Sequence, residues 1–250
     1  GTAAIDQCDP LYSARTYLCD QEGSFLTSVV GFTVNWDRRN EAVRATRGFD
    51  LQFSQDVAGL GGEVNYLRTE LEGGIYYGLP FGFRALFRGS AGYIAGWGGD
   101  DVRINDRFFK GGSSFRGLDV AGVGPRQVVV NNSTGEIEVV GDSIGGNAYA
   151  IGPLQLGVPL PLPESFSLGS ALFVDFGTLG IVDSASRQLV PIDVDSSLIV
   201  EDELSLRVAA GVSVFWDSPF GPVQFDFAQP LQYEDYDLRE EFRFSTRTNF

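Results

Sequence analysis

Gly141-Asp142-Ser143-Ile144-Gly145 has the G-x-S-x-G spacing of a nucleophile elbow, in which a strained strand-to-helix turn exposes a serine for acyl transfer. Such a serine needs a base to take its proton, usually an imidazole, and the chain has no histidine. Glu70 and Glu72 lie two apart, which puts both on one face of a strand, as a glycosidase carboxylate pair could be. Two charges lining a wet surface satisfy the same spacing, and that is the preferred reading. Zinc chemistry lacks its ligands, because there is no imidazole and two cysteines cannot build a four-thiolate site. The glycine-rich stretches at Gly73-Gly74 and from Gly92 to Gly99 do not open a helix, so they make no phosphate cradle. Strand glycines more often mark bends or close backbone approach. The sequons at Asn131 and Asn132 match a short glycosylation pattern that recurs by chance and carry little weight. The residues therefore predict no enzyme, no metal and no cofactor.

Composition narrows the classes further. The net charge is −15 and Lys110 is the only lysine, so the clustered cations that nucleic acid requires are lacking. Aromatics reach 13%, too many for a solvating acidic tail. The longest uncharged run, Ser143 to Pro163, is long enough for a membrane helix, but glycine and proline scattered through it oppose one. The absence of an initiating methionine and of a signal peptide gives the expectation of an excised or processed piece. Cys8 and Cys19, in a polar segment, suggest a disulfide made in an oxidising periplasm, with two unpaired thiols as the alternative.

The elements that must position everything else are strands. From residue 24 onward a period of two dominates, giving nine expected strands: 24–37, 46–56, 63–77, 81–97, 144–158, 165–181, 202–216, 221–230 and 240–250. Most exceed an ordinary soluble strand and suit the roughly 9–11 residues of a tilted membrane strand. Leu168, Leu172, Val174 and Phe176 share one face and Ser167, Gly169 and Asp175 the other. Val208, Val212, Val214 and Trp216 oppose Arg207, Gly211 and Ser213. Asp50, Arg68, Glu70, Glu72, Arg84, Arg88 and Asp226 all stand opposite their strand's apolar stripe. A face of small and polar residues with mid-strand charges suits a wet barrel lumen. The register is strongly enforced, since arginine on the lipid face costs about 2–4 kcal/mol at mid-bilayer. Trp36, Trp97 and Trp216 lie at strand ends, where an interfacial girdle belongs.

Connector lengths give an orientation. Residues 78–80, 159–164 and 217–220 are short, and 98–143, 182–201 and 231–239 are longer. Short turns are periplasmic and long loops extracellular, so the last strand runs inward. Residues 1–23 are expected to be the remnant of an extracellular loop, and 24–250 the barrel strands, with the very long loop 98–143 among them. Nine is odd and an open sheet in lipid leaves unpaired edges, so further strands are expected before residue 24.

Three segments carry a family resemblance: Asp106-Arg107-Phe108-Phe109-Lys110-Gly111-Gly112-Ser113-Ser114-Phe115-Arg116-Gly117-Leu118; Trp216-Asp217-Ser218-Pro219-Phe220-Gly221-Pro222; and the terminal Phe242-Arg243-Phe244 ending in Phe250. Together they resemble the barrel-assembly factors of the outer membrane, the BamA group, whose relatives include the TamA barrels and two-partner secretion transporters. The resemblance implies an all-β, antiparallel transmembrane barrel of 16 strands, of which this chain holds the C-terminal nine. It implies that loop 98–143 folds into the lumen and carries an Arg-Gly motif, here Phe115, Arg116, Gly117 and Leu118, with Asp175 and Gln155 as partners. Gln155 stands where the family often has a glutamate, and Phe115 and Leu118 depart from the commoner wording. Residues 240–250 correspond to the gate strand, with Phe242, Phe244 and Phe250 as its terminal aromatic signal. Arg247 appears where relatives often have a glycine that kinks this strand.

The function so implied is assembly and insertion of client barrels at a lateral gate. The expected partners are unfolded outer-membrane proteins, accessory lipoproteins reached through periplasmic domains, and lipid with lipopolysaccharide. The alternatives are a polypeptide-secretion pore of the same superfamily, a general diffusion porin and an outer-membrane enzyme.

Overall fold

The computed structural model describes residues 23–42, 45–131, 133–134, 136–163, 166–183, 190–193, 196–202, 204–219 and 221–246. Cys8, Cys19, Arg247 and Phe250 lie outside the described residues, as does the expected loop remnant apart from residue 23. The strands are β1 (Val29–Asp37), β2 (Arg47–Ala58), β3 (Tyr66–Gly78), β4 (Arg84–Gly96), β5 (Gly117–Leu118), β6 (Arg126–Asn131), β7 (Ile137–Ser143), β8 (Ala148–Ile151), β9 (Leu154–Val158), β10 (Leu168–Gly180), β11 (Val190–Asp193), β12 (Ser196–Glu201), β13 (Arg207–Ser218), β14 (Gly221–Gln232), β15 (Arg239–Glu240) and β16 (Phe242–Thr246).

Ten of them form one antiparallel sheet in the order β1-β2-β3-β4-β8-β10-β13-β14-β16, with β9 also lying between β4 and β10. β8 and β9 are one passage interrupted at Gly152-Pro153, where proline has no N–H to give. The ladder bridges the gap through neighbouring groups: Gly152 N–H donates to the Phe176 carbonyl at 2.8 Å, and the Pro153 carbonyl accepts from Arg88 N–H at 2.9 Å. The sheet therefore makes nine passages, matching the expected nine in number and order.

Alternation fixes the two faces. Along β10, Leu172, Val174 and Phe176 are exposed while Ala171, Phe173, Asp175 and Leu179 are buried. The register carries this phase across the sheet, aligning Asp50 with Gly74 and Gly74 with Arg88 on the polar side. An apolar belt of Leu51, Leu71, Ile75, Phe87, Leu154, Leu172 and Phe227 lies on the outside. Such a belt is unfavourable in water and suits hydrocarbon. The tryptophans stand at strand ends, with Trp36 edge-on to Phe49 at 5.4 Å and Trp97 Nε1 donating to the Ala58 carbonyl at 3.0 Å.

The buried core lies inside the sheet's concave face. Val102, Phe108, Phe115, Leu118 and Val123 from the long connector pack against Ala58, Ile94, Tyr149, Ile151, Leu179 and Ala209 of the wall. The connector is not a plain loop throughout, which corrects one expectation. Its distal part forms the hairpin β6–β7, and β6 pairs with β12 from the next long connector, giving a four-stranded sheet β11-β12-β6-β7. Runs of β-branched residues at Val128–Val130 and Ile199–Val200 account for this pairing. Most passages begin later than expected, and the largest shifts, at Val29, Ala148 and Arg207, arise where connector residues bond to other connectors. Ile144 N–H, for example, donates to the Pro125 carbonyl and Asn147 N–H to that of Ile181.

The two faces predict opposite tolerance to charge. In a bilayer, Val174→Arg at the middle of β10's outer face lowers unfolding free energy by about 2–4 kcal/mol, and Ser90→Arg on the inner face of β4 by under about 1 kcal/mol. Urea titration of the full-length protein in vesicles, followed by tryptophan emission, measures the contrast.

Candidate functional site

Asp175 sits on the inner face of β10, 2% exposed, and would carry an unanswered charge without a cation beside it. Arg116 supplies that cation from the connector. Its Nε donates to Asp175 Oδ2 at 2.9 Å and its Nη2 to Oδ1 at 2.7 Å, a two-pronged pairing, and its backbone N–H adds a third bond to Oδ2 at 2.9 Å. Nη1 donates to Gln155 Oε1 at 3.3 Å and to Ser213 Oγ at 3.1 Å. The guanidinium plane lies 3.5 Å from the centroid of the Phe173 ring, two residues along β10. Three passages, β9, β10 and β13, thus converge on one side chain.

Gly117 makes the approach possible. Its φ is +91°, and a Cβ there would lie 2.8 Å from Ala209 Cβ and 3.4 Å from Ala228 Cβ. The motif backbone rests directly on the β13–β14 wall, which is small at these two positions. Phe115 and Leu118 on either side are fully buried, so their departures from the common family wording still fill the lumen.

The resemblance leaves Arg116 with one acidic partner where relatives often have two. In the structure Ser213 accepts from Arg116 and donates a short bond to Asp226, whose oxygens also accept from Gln224 Nε2 at 2.9 Å. A second carboxylate therefore stands one hydroxyl away from the guanidinium. Ser213, Phe173 and Asp226 were not singled out as partners from sequence, although their alternation already assigned Ser213 and Asp226 to the lumen face.

A second buried pair lies beside the first. Arg207 at the start of β13 donates from Nε to Asp237 Oδ2 at 2.9 Å and from Nη2 to Tyr236 Oη at 3.1 Å, and both partners of the ion pair are fully buried. Asp237 belongs to the last connector and also accepts from Gly124 N–H at 3.3 Å. In the same region Leu118 pairs with Arg239 and Gly117 with Glu240 across β5 and β15. Arg243, on the inner face of β16, reaches Glu240 and lies 3.6 Å from Asp119. The lumen segment is therefore stitched to the last connector and to the last described strand.

Other residues considered from sequence fall into structural roles. Glu70 accepts from Arg68 Nε at 2.8 Å and from Tyr149 Oη at 3.0 Å, inside a lumen cluster where Lys110 Nζ lies 3.6 Å from the Tyr149 ring centroid. Burial lowers the Lys110 pKa, against the upward pull of Glu70 and Glu72. Phe242 and Phe244 face outward, 5.1 and 5.4 Å from Phe227 and Phe225 across the strand pair. Ser143 ends β7, and its Oγ accepts from Gly145 N–H at 3.3 Å. Asn131 Oδ1 caps the turn after β6 by accepting from Ser133 N–H. Among the described residues no group of three or more metal-ligating side chains occurs.

The Omp85 superfamily domain matches residues 3–250. The outer membrane protein assembly factor BamA of Neorickettsia risticii is 30% identical over 217 residues, spanning 84% of this chain and 25% of that protein. BamA of Neisseria meningitidis serogroup B is 27% identical over 246 residues, spanning 92% of this chain and 30% of that protein. The human sorting and assembly machinery component 50 homolog is 32% identical over 145 residues, 56% of this chain and 28% of its own. The chain thus spans about a quarter to a third of the curated relatives it matches. In structure, BamA from Haemophilus ducreyi lacking POTRA domains 1–3 superposes with a TM-score of 0.69 at 23% identity, covering 86% of this chain and 41% of that one.

Removing one side of a buried pair leaves the other charge unanswered, at about 3–5 kcal/mol. Arg116→Ala is expected to raise the rate of trypsin cleavage at Lys110 and Arg126 by roughly 100- to 4000-fold through local opening. Asp237→Ala releases the last connector instead, exposing Arg239 to the same protease. Mass spectrometry of limited digests reads both.

Proposed function

The chain belongs to the Omp85 superfamily and is a β-barrel chain of the outer membrane, and on that premise we propose that its parent protein assembles and inserts client β-barrels. The observation that carries this reading is the Arg116–Asp175 pairing, which fixes an apolar plug inside the wall and ties it to the strands next to β16. Among the described residues β16 pairs with β14 from Val223 to Phe227, and Ala228 N–H also donates to the Glu241 carbonyl at 2.8 Å. The other edge of β16 has no strand beside it among the described residues. A strand edge with free N–H and C=O groups is a template for an incoming strand, which is strand addition carried out in a membrane. The work is done by hydrogen-bond exchange and apolar burial, with no covalent step.

The plug disfavours a diffusion porin. Phe108, Phe115 and Leu118 fill the space that a porin keeps for water. The clients are unfolded outer-membrane proteins. Accessory lipoproteins and lipopolysaccharide are further partners of the full-length protein in this reading. A secretion pore of the same superfamily uses the same loop for a dedicated exported client.

The test uses the full-length parent protein in liposomes, with a urea-unfolded client barrel whose folding is followed by protease resistance. Acceleration over empty liposomes, slowed by Arg116→Ala and restored toward wild type in part by Arg116→Lys, is expected. No acceleration, together with polypeptide passage into the vesicle, moves the protein to the secretion reading.

A further inference from the structure

Among the described residues of the nine passages, one charged side chain departs from the lumen phase. Arg47, the first residue of β2, shares its face with Phe49 and Leu51 and pairs across the strand with Tyr77. It is exposed, and its guanidinium has no carboxylate partner among the described residues. Every other arginine of the nine passages stands in the lumen phase, where Glu70 answers Arg68, Asp237 answers Arg207 and Glu240 answers Arg243. An outward arginine is expensive at mid-bilayer and nearly free at the interface, where it reaches headgroup phosphate.

Arg47 also lies on the rim of an apolar groove of about 910 Å³ on the outer face of the sheet. The register builds the groove. Gly73 stands opposite Gly89, and Ala91 opposite Ala150, so the floor drops to backbone height over adjacent strands. Phe87 and Phe176, stacked at 6.4 Å between centroids, rise beside it. No other cation lines the groove; its one carboxylate, Asp50, stands in the lumen phase of β2 with Arg39 Nε 3.8 Å away, and the far end, near Thr178 and Leu206, is uncharged. One apolar trough with a single cation at one end matches a lipid in shape and charge: an acyl chain along the floor and a phosphodiester at the arginine.

We propose that this groove holds a glycerophospholipid of the periplasmic leaflet, with its phosphate on Arg47 and an acyl chain over Gly73, Gly89, Ala91 and Ala150. The leaflet rests on the orientation adopted above. Arg47 and Tyr77 lie at the end of the sheet where β3 and β4 are joined through the tight turn at Pro80–Gly82. That end carries the short connectors, away from the lipopolysaccharide side.

The experiment is native mass spectrometry of the delipidated full-length protein, titrated with dioleoyl phosphatidylglycerol or dioleoyl phosphatidylcholine. Wild type is expected to retain the anionic lipid more tightly. Arg47→Gln weakens phosphatidylglycerol binding by about fivefold and abolishes the preference over phosphatidylcholine. Gly89→Leu fills the trough and weakens both lipids equally. Its added Cβ meets only Phe87, at 3.9 Å, so the variant is expected to fold. Arg88→Gln, two strands away on β4 and on the lumen face, leaves binding unchanged. Equal effects of Arg47→Gln and Arg88→Gln, or undiminished retention in Gly89→Leu, overturn the site. Stronger binding of lipid A than of phosphatidylglycerol overturns the leaflet. Client folding plays no part in this assay, so either reading can fail without the other.

Discussion

A carboxylate held at 2% exposure in the wall of a barrel dictates much of what surrounds it. Asp175 has no room to be hydrated, and the charge must be matched by a donor set of the right shape. Arg116 meets it with two guanidinium bonds and one backbone bond, and a further reach to Gln155 and Ser213 ties β9 and β13 to the same point. Other features follow from that geometry. Gly117 must lack a side chain, Ala209 and Ala228 must be small, and Phe115 and Leu118 must find apolar cover. The connector that carries them then becomes the core of the molecule, because a single curved sheet has no second layer to pack against.

The same constraint reaches the end of the chain. Once the motif is seated, Gly117 and Leu118 pair with Glu240 and Arg239, and Asp237 is placed between Gly124 and Arg207. Two buried arginines, one on the connector and one on β13, thus hold one segment between the wall and the last connector. β16 begins two residues after that clamp. Position of the plug and position of the last strand are consequently coupled through continuous hydrogen bonds. In the proposed function this is how an internal loop influences an edge that faces lipid.

The barrel was legible in the sequence because period two in a membrane strand has one physical meaning. Leu172, Val174 and Phe176 must see lipid, and Asp175 must not. Glycine and proline at 152–153 did not hide the fifth passage, since the alternation resumes in phase at Leu154. Arg116 and its partners came from the family resemblance, because a bidentate pair joining residues 116 and 175 leaves no local periodic trace. The hairpin at 126–143 was not legible as sheet. Its valine runs are short, and their partner, Ser196–Glu201, lies in another connector. Ser213 was legible as a lumen residue but not as the relay to Asp226, since that role depends on a cross-strand register fixed only in three dimensions. The outward phase of Arg47 is written in the sequence, yet it gains meaning only beside the groove.

The central claim is that Arg116 and Asp175 act as one unit that seats the plug. A double-mutant cycle on the full-length protein in vesicles, with Arg116→Ala, Asp175→Ala and the pair, measures it through the free energy of local opening in hydrogen exchange at Phe115–Leu118. The account predicts a coupling of about 2–3 kcal/mol, so that the double variant loses less than the sum of the two single losses by that amount. Additive losses, with coupling near zero, would mean that the plug is held by apolar burial alone and that the pairing is incidental.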